Sequence, residues 1–449
     1  MLTIDRDILR LAVPALGALV AEPLFLLTDT ALVGHLGETP LAALGVAGAV
    51  LQTVVGLLIF LAYATTPAVA RRLGAGDAPG AIKAGIDGMW LALGAGVVLA
   101  LVGWPLAGSV VRLFGSTAAV SEAATTYLTI SLIGLPGMLV VIAATGLLRG
   151  LQDTRTPLVV AVGGFAVNAM LNALFIYGFG WGIAGSAIGT VLAQWGMAAV
   201  YVVIAVRAAR RVAVSLRPGL DGVGGAAMAG GWLLLRTASL RAALLASIAV
   251  AAGFGVTSLA AFQIAMTIFT TLAFVLDALA IAGQAMVGHG LGAADVDRVH
   301  AVTRRLVRWG LLSGVVLGAL VAVLAPFAGP VFSSSASVQQ AVTAVLLAMA
   351  VGVPLAGYVF VLDGVLIGAG DARYLALTGL LNLAMYAPLL VAVALVFTPG
   401  GGAADATGGV AALVWLWFAF GLGYIGARAL TLGLRARGSR WIVTGAPAT

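Results

Sequence analysis

Cysteine is absent from the chain, and disulfide scaffolds, Cys-ligated zinc, iron–sulfur clusters and Cys nucleophiles are excluded with it. Charge is scarce. Asp, Glu, Lys and Arg make up 9% of 449 residues, against about 25% in an ordinary soluble domain. So few charges could not cover the surface of a soluble fold this long, which excludes a soluble enzyme. Histidine is limited to His35, His289 and His300. These fall at predicted helix ends or loops, no pair has metal-ligand spacing, and no nucleophilic triad can be assembled. The chain therefore reads as a non-enzyme with no cofactor. The glycine run at 400–402 lacks the strand–helix context of a phosphate cradle.

What fills the sequence is apolar: 62% of residues are hydrophobic, from end to end. A membrane-spanning helix needs about 20 such residues, and twelve runs qualify. They are Leu11–Gly34, Leu41–Ala70, Gly88–Val111, Ala123–Leu148, Pro157–Gly178 and Ile183–Ala205 in the first half. The second half holds Trp232–Gly255, Ser258–Gly288, Trp309–Phe327, Val338–Ile367, Tyr374–Phe397 and Val410–Ala427. The runs lack period-2 alternation and are far longer than the roughly 10 residues of a barrel strand. The fold class is an all-α polytopic membrane protein.

The net charge of +7 is explained by where the arginines fall. Alternate connections, both terminal segments and the entry to the seventh helix hold 22 of the 23 basic side chains, and Arg112 alone lies opposite. The positive-inside rule then places both termini and the Arg-rich loops in the cytoplasm. Nucleic acid is not needed to account for the charge. The dearth of lysine beside abundant Ala, Gly and Arg fits a GC-rich bacterial genome, so a bacterial inner membrane is expected.

Three segments recur at one offset, 218. Gly37-Glu-Thr-Pro-Leu-Ala-Ala-Leu-Gly-Val-Ala47 resembles Gly255-Val-Thr-Ser-Leu-Ala-Ala-Phe-Gln-Ile-Ala265. Leu73-Gly-Ala-Gly-Asp77 resembles Leu291-Gly-Ala-Ala-Asp295, and Gly146-Leu-Leu-Arg-Gly-Leu-Gln-Asp153 resembles Gly364-Val-Leu-Ile-Gly-Ala-Gly-Asp371. Two pseudo-symmetric six-helix lobes are expected, 1–206 and 232–449 with its tail, joined by a cytoplasmic linker at 207–231. Parallel repeats of this kind are a transporter architecture built for alternating access.

Four acids lie inside the spans: Glu22, Asp29, Asp277 and Asp363. A bare carboxylate at mid-membrane costs at least about 2.5–3.5 kcal/mol, so each must be protonated, paired or in contact with water. Those are the properties of a coupling-ion site. Glu22 and Asp29 share a face of helix 1, and Pro14 upstream permits a kink. Asn168 and Asn172 lie one turn apart on helix 5, and Thr190 follows on helix 6. Their oxygens either cage a sodium ion with Asp29, hydrogen-bond a protonated Asp29, or join helices as plain interhelical contacts. In the second lobe Arg236 enters helix 7 from the Arg-rich side, where it either pairs with Asp277 or Asp363 or snorkels to the headgroups.

Taken together, these residues resemble the multidrug and toxic compound extrusion (MATE) family, in its DNA-damage-inducible (DinF)-like branch. The resemblance rests on Pro14, Glu22-Pro23 and Leu27-Thr-Asp-Thr-Ala-Leu-Val-Gly-His-Leu-Gly37. It extends to Leu235-Arg-Thr-Ala-Ser-Leu240, Leu276-Asp-Ala-Leu-Ala280 and the 363–371 segment. It implies twelve helices in two lobes and export of small organic, cationic and amphiphilic compounds in exchange for H+ or Na+. It also implies Asp29 as the coupling acid, with Asn168 and Thr190 as partners and Pro14 at the kink. Asn172 departs from the family pattern, which has Asp there. That leaves a single-acid proton site, with Glu22 the candidate second acid. Asp277 and Asp363 match acids of the branch's C-lobe. The expected function is a monomeric secondary antiporter. The alternative, a flippase for a lipid-linked precursor, would call for several arginines in the cavity, whereas nearly all lie in loops.

Overall fold

The computed structural model describes residues 2–397 and 406–445; the glycine run at 400–402 and the end of the tail lie outside them. Among the described residues twelve helices are long and apolar enough to cross a membrane, and there is no strand. They are α1 (Thr3–Gly34), α2 (Glu38–Gly74), α3 (Ala78–Arg112), α4 (Ala118–Gly150), α5 (Arg155–Gly178) and α6 (Gly182–Arg211). Then come α7 (Gly222–Gly253), α8 (Val256–Gly292), α9 (Val296–Phe332), α10 (Ala336–Gly368), α11 (Ala372–Phe397) and α12 (Gly409–Arg437). α2 is interrupted at Ile59. π-Helical turns end α5 at Leu174–Gly178 and interrupt α12 at Ala419–Tyr424.

The helices outlast the apolar runs, chiefly at their Arg-rich ends. Hydropathy marks what can lie in hydrocarbon, but backbone hydrogen bonding continues wherever good helix formers such as Ala, Leu and Arg follow. Asp77 and Asp295 start α3 and α9 well before their apolar runs, accepting from the Gly80 and Arg298 N–H groups at 2.8 and 3.0 Å. One consequence is a correction. Arg428, grouped by hydropathy with the C-terminal tail, lies inside α12 and is buried.

The chain forms two compact units. The first comprises 10–231 with 288–294 and 444–445; the second comprises 2–9, 232–287 and 295–443. In the first, α4 is the most buried helix and packs on α2, α3 and α6. In the second, α10 takes that place, against α9 and α12. Their outer faces are apolar, as at Val98, Leu101 and Val102 on α3 and Val315, Val316 and Val323 on α9. A soluble protein would not expose such faces, but a bilayer solvates them. The protein is a multi-pass membrane protein.

The 218-residue repeat is visible within each unit, contact by contact. A Cβ at Gly146 would lie 2.8 Å from the Ala62 carbonyl oxygen, and one at Gly364 would lie 2.5 Å from that of Ala280. Gly96 and Gly314 likewise press on the Cα atoms of Pro136 and Pro354, at 2.5 and 2.7 Å. Each pair is the same pair plus 218. Helices meet backbone to backbone here, as lipid-embedded bundles do with small residues at the crossing. Left-handed backbone recurs too, at Gly37 and Gly255, Gly76 and Ala294, and Gln152 and Gly370.

Each unit also grips the start of a helix at a matching place. In the first, Asp87 of α3 accepts from Lys83 and from the Gly219 N–H (2.9 Å), and Trp90 donates to the Leu216 carbonyl (2.9 Å). The segment before α7 is thereby pinned. In the second, Arg305 of α9, at 87 plus 218, donates to Asp5 at the start of α1, as does Trp309 at 2.9 Å.

Gly146→Val and Gly364→Val should each cost about 1–3 kcal/mol by overpacking. The expected result is a melting midpoint several degrees lower for purified protein in detergent. Gly163→Ala, with nothing within 4 Å of the added carbon, should leave it unchanged.

Candidate functional site

Four helices of the first unit converge on Asp29. α1 supplies the carboxylate, α4 supplies Tyr127, α5 supplies Asn168 and Asn172, and α6 supplies Ser186 and Thr190. The paired residues of α5 and of α6 are each four apart, so each pair lines one helix face. Asp29 Oδ1 accepts from Asn172 Nδ2 at 2.7 Å and from the Ser186 hydroxyl at 2.8 Å. Oδ2 accepts from the Tyr127 hydroxyl at 3.4 Å. Asn172 Nδ2 also donates to Asn168 Oδ1 at 3.2 Å, and Asn168 Nδ2 donates to Thr190 Oγ1 at 3.0 Å. Asp29 is 4% exposed and Asn172 and Ser186 are wholly buried.

Local sequence accounts for this convergence. Gly189 on α6 leaves room for Asn172, whose Oδ1 would be 2.1 Å from an added Cβ. The π-helical turn just beyond Asn172 turns Tyr177 back toward α1, where its hydroxyl donates to the Leu32 carbonyl at 2.6 Å. Such turns commonly occur at functional sites. Gly180 and Gly182, both at positive φ, end the turn and start α6.

Every partner of Asp29 is neutral, and no ion pair among the described residues includes it. Asn172 Oδ1 is buried without a hydrogen-bond partner. A sodium cage needs several oxygens turned inward, and hard cations favour more than one formal charge in the ligand set. Here there is one carboxylate, and Asn172 presents its amide nitrogen to it. No cluster of three or more His, Cys, Asp or Glu fit to hold a metal occurs among the described residues.

The second unit treats its acid differently. Asp363 of α10 accepts from Arg236 of α7 through both oxygens and from Arg428 of α12 at 3.0 Å. Two guanidinium groups thus share this one carboxylate. A cavity of about 10 Å³, one water site in size, lies beside them, lined also by Asn382 and Tyr424.

Of the residues singled out in the sequence, Asp29, Asn168, Asn172 and Thr190 are therefore together, as are Arg236 and Asp363. Glu22 is not part of the Asp29 cluster: it is exposed on α1. Seven residues bring it to the same face but about 10 Å along the axis, too far for one shared site. Pro14 sits inside α1, with Pro23 as a second interruption. Asp277 is half-buried on α8. Three residues were missed. Ser186 could have been found, because it lies one turn before Thr190 on the same face. Tyr127 carries no such signal in its apolar helix, and Arg428 was hidden by the hydropathy boundary.

This geometry has relatives. The MatE family model matches residues 14–174 and again 234–391, once in each unit. A probable multidrug resistance protein NorM of Deinococcus radiodurans is 32% identical over 445 residues, covering 96% of this chain and 92% of that one. DNA damage-inducible protein F of Escherichia coli is 27% identical over 82% of this chain and 81% of its own length. Among solved structures, the Vibrio cholerae MATE transporter VcmN in its bent form superposes with a TM-score of 0.83 at 21% identity. It covers 97% of this chain and 98% of that one, a likeness of fold. The double match, the twelve helices and the full-length relatives together establish that the chain belongs to the MatE family of multidrug and toxic compound extrusion proteins, which are membrane transporters and not enzymes.

Proposed function

We propose that the protein is a secondary antiporter exporting small organic, cationic and amphiphilic compounds in exchange for protons, with Asp29 as the coupling acid. The observation that carries this reading is a buried carboxylate held only by neutral groups. One elementary charge crossing 100 mV is worth about 2.3 kcal/mol, so a single acid per cycle can drive a substantial gradient.

The cluster has a use for both protonation states. With Asp29 ionised, the Asn172 amide and the Ser186 and Tyr127 hydroxyls donate to it. Protonation adds a donor to a site that already holds a buried acceptor lacking one, Asn172 Oδ1. Rotation of the Asn172 amide brings that oxygen to the new O–H. The neutral pair no longer needs water or charge partners, and α1 can shift as a body. Pro14 and Pro23 remove the backbone bonds to the Arg10 and Leu19 carbonyls, giving the helix two places to bend. The lobes expected at 1–206 and 232–449 would be the moving halves of the alternating-access cycle. The protein would act as a monomer in a bacterial inner membrane, with both termini and 207–231 in the cytoplasm.

Transport into inverted membrane vesicles, with pH and sodium gradients imposed separately, tests the reading. Wild-type export should follow the proton gradient. Asp29→Asn should abolish gradient-driven export while the protein still folds and binds substrate; export at the wild-type rate against a gradient would move coupling elsewhere, to Asp277 or Asp363. Asn172→Asp adds the second charge a sodium cage wants, and should shift the driving ion toward sodium. Gly189→Ala drives a methyl into Asn172 and should slow coupled export by about tenfold, for an overpacking cost of about 1–3 kcal/mol. Reporter fusions within 207–231 should read cytoplasmic, and an external signal would invert the proposed topology.

A further inference from the structure

A second built pocket lies in the first unit, away from Asp29, at the turn between α4 and α5. A cavity of about 80 Å³ is lined by Arg10 of α1, by Gln152, Asp153 and Thr154 of the turn, and by Arg155, which opens α5. Since about 10–15 Å³ by this measure holds one water, there is room for a tetrahedral oxyanion with a few waters beside it. Neither arginine takes part in any of the six ion pairs among the described residues. The one acid present is committed to the helix start. Asp153 Oδ1 accepts from the Arg155 and Thr156 N–H groups, both at 3.0 Å, and Oδ2 accepts from the Thr156 hydroxyl at 2.6 Å.

Two further observations point to a ligand. Thr154 is 2% exposed, and its hydroxyl has no hydrogen-bond partner. A buried polar group left so calls for an unseen partner. Gln152 holds φ of 61°, in the left-handed region that disfavours a side chain, while its repeat counterpart Gly370 holds 75° with no penalty. At Gly370 the following acid, Asp371, is taken by Arg435 at 2.7 Å, and among the described residues no arginine forms an ion pair with Asp153. The first unit thus keeps a strained side chain, and a pocket with two unpaired guanidinium groups, where the second has glycine and a closed ion pair. Non-glycine residues in this region gather at functional sites.

We infer that this pocket binds a phosphate-class oxyanion, with Arg10 and Arg155 as its charge partners and Thr154 and Gln152 as hydrogen-bonding groups. Guanidinium forks suit phosphate oxygens, and the α5 N-terminus favours negative charge nearby. The ligand is the headgroup of an anionic phospholipid or a free phosphate; both present the same oxygens. Binding also has a reach beyond the pocket. Arg10 is the residue whose carbonyl Pro14 leaves without its helical partner, so an anion tying Arg10 to α5 fixes α1 just ahead of its first proline.

Full-length protein in neutral detergent tests the inference, with the melting midpoint read against sodium phosphate, dihexanoyl phosphatidylglycerol or dihexanoyl phosphatidylcholine at matched ionic strength. A saturable rise of several degrees is expected. A rise with phosphatidylglycerol alone assigns a lipid headgroup, and a rise with sodium phosphate assigns free phosphate. Arg10→Gln combined with Arg155→Gln should weaken the response at least tenfold. No saturable rise with any probe, a rise equal for phosphatidylcholine and phosphatidylglycerol, or an undiminished rise in the double variant overturns the site. Gln152→Gly relieves the strain and so must fold. It should raise the unliganded midpoint and reduce the anion response, and an unchanged response removes Gln152 from the site.

Discussion

A carboxylate buried inside an apolar helix bundle is the constraint to which the first unit is built. Asp29 could have been neutralised by an arginine, which would have fixed its charge for good. Instead it is given hydrogen-bond donors that carry no charge, from α4, α5 and α6. The coupling role proposed for Asp29 needs such a group, held well enough to remain buried and not tied to a fixed opposite charge. Asp363 in the second unit is the contrast. With Arg236 and Arg428 both donating to it, removing the carboxylate would take away the negative charge that two largely buried guanidinium groups share, a costly event. The same residue type is thus held by neutral donors in one unit and by two guanidinium groups in the other.

The repeat makes such contrasts readable. Gly146 on Ala62 and Gly364 on Ala280 are one contact made twice, because close helix crossing tolerates no side chain there in either copy. Where the copies differ, sterics did not dictate the residue. Asp87 and Arg305 occupy matching positions and do matching work with opposite charge, each pinning the start of a helix. Gln152 and Gly370 share a backbone conformation that only one of them adopts freely. Pairs that match across the repeat describe the fold, while pairs that differ either do the same work with other chemistry, as Asp87 and Arg305 do, or set the two halves apart.

Much of this was legible in the sequence for a physical reason: hydrocarbon demands about 20 apolar residues per crossing. Twelve such runs gave twelve helices. The spacing of Asn168 from Asn172 carried real information, since four residues return to the same face. Seven residues from Glu22 to Asp29 carried less, because a shared face says nothing about distance along the axis. Arg428 was misplaced because hydropathy reports where a helix can meet lipid and is silent about a charged residue buried against an acid. Tyr127 was invisible, since one hydroxyl in an apolar helix has no periodicity to betray it.

Helix α1 belongs to both units. Residues 2–9 belong to the second unit, fastened there through Asp5 to Arg305 and Trp309, while Asp29 belongs to the first. Pro14 and Pro23 lie between. A continuous straight helix joining the two would resist any change at Asp29 with the stiffness of its backbone hydrogen bonds. Two missing bonds, at the Arg10 and Leu19 carbonyls, place the compliance between the anchor and the acid. The first of them falls at the residue where the helix passes from one unit to the other. In the proposed cycle, a proton arriving at Asp29 acts on a helix that is fixed at one end, free to bend in the middle, and released from its charge at the other. Those are the mechanical conditions under which a small local change of charge becomes a movement of the chain.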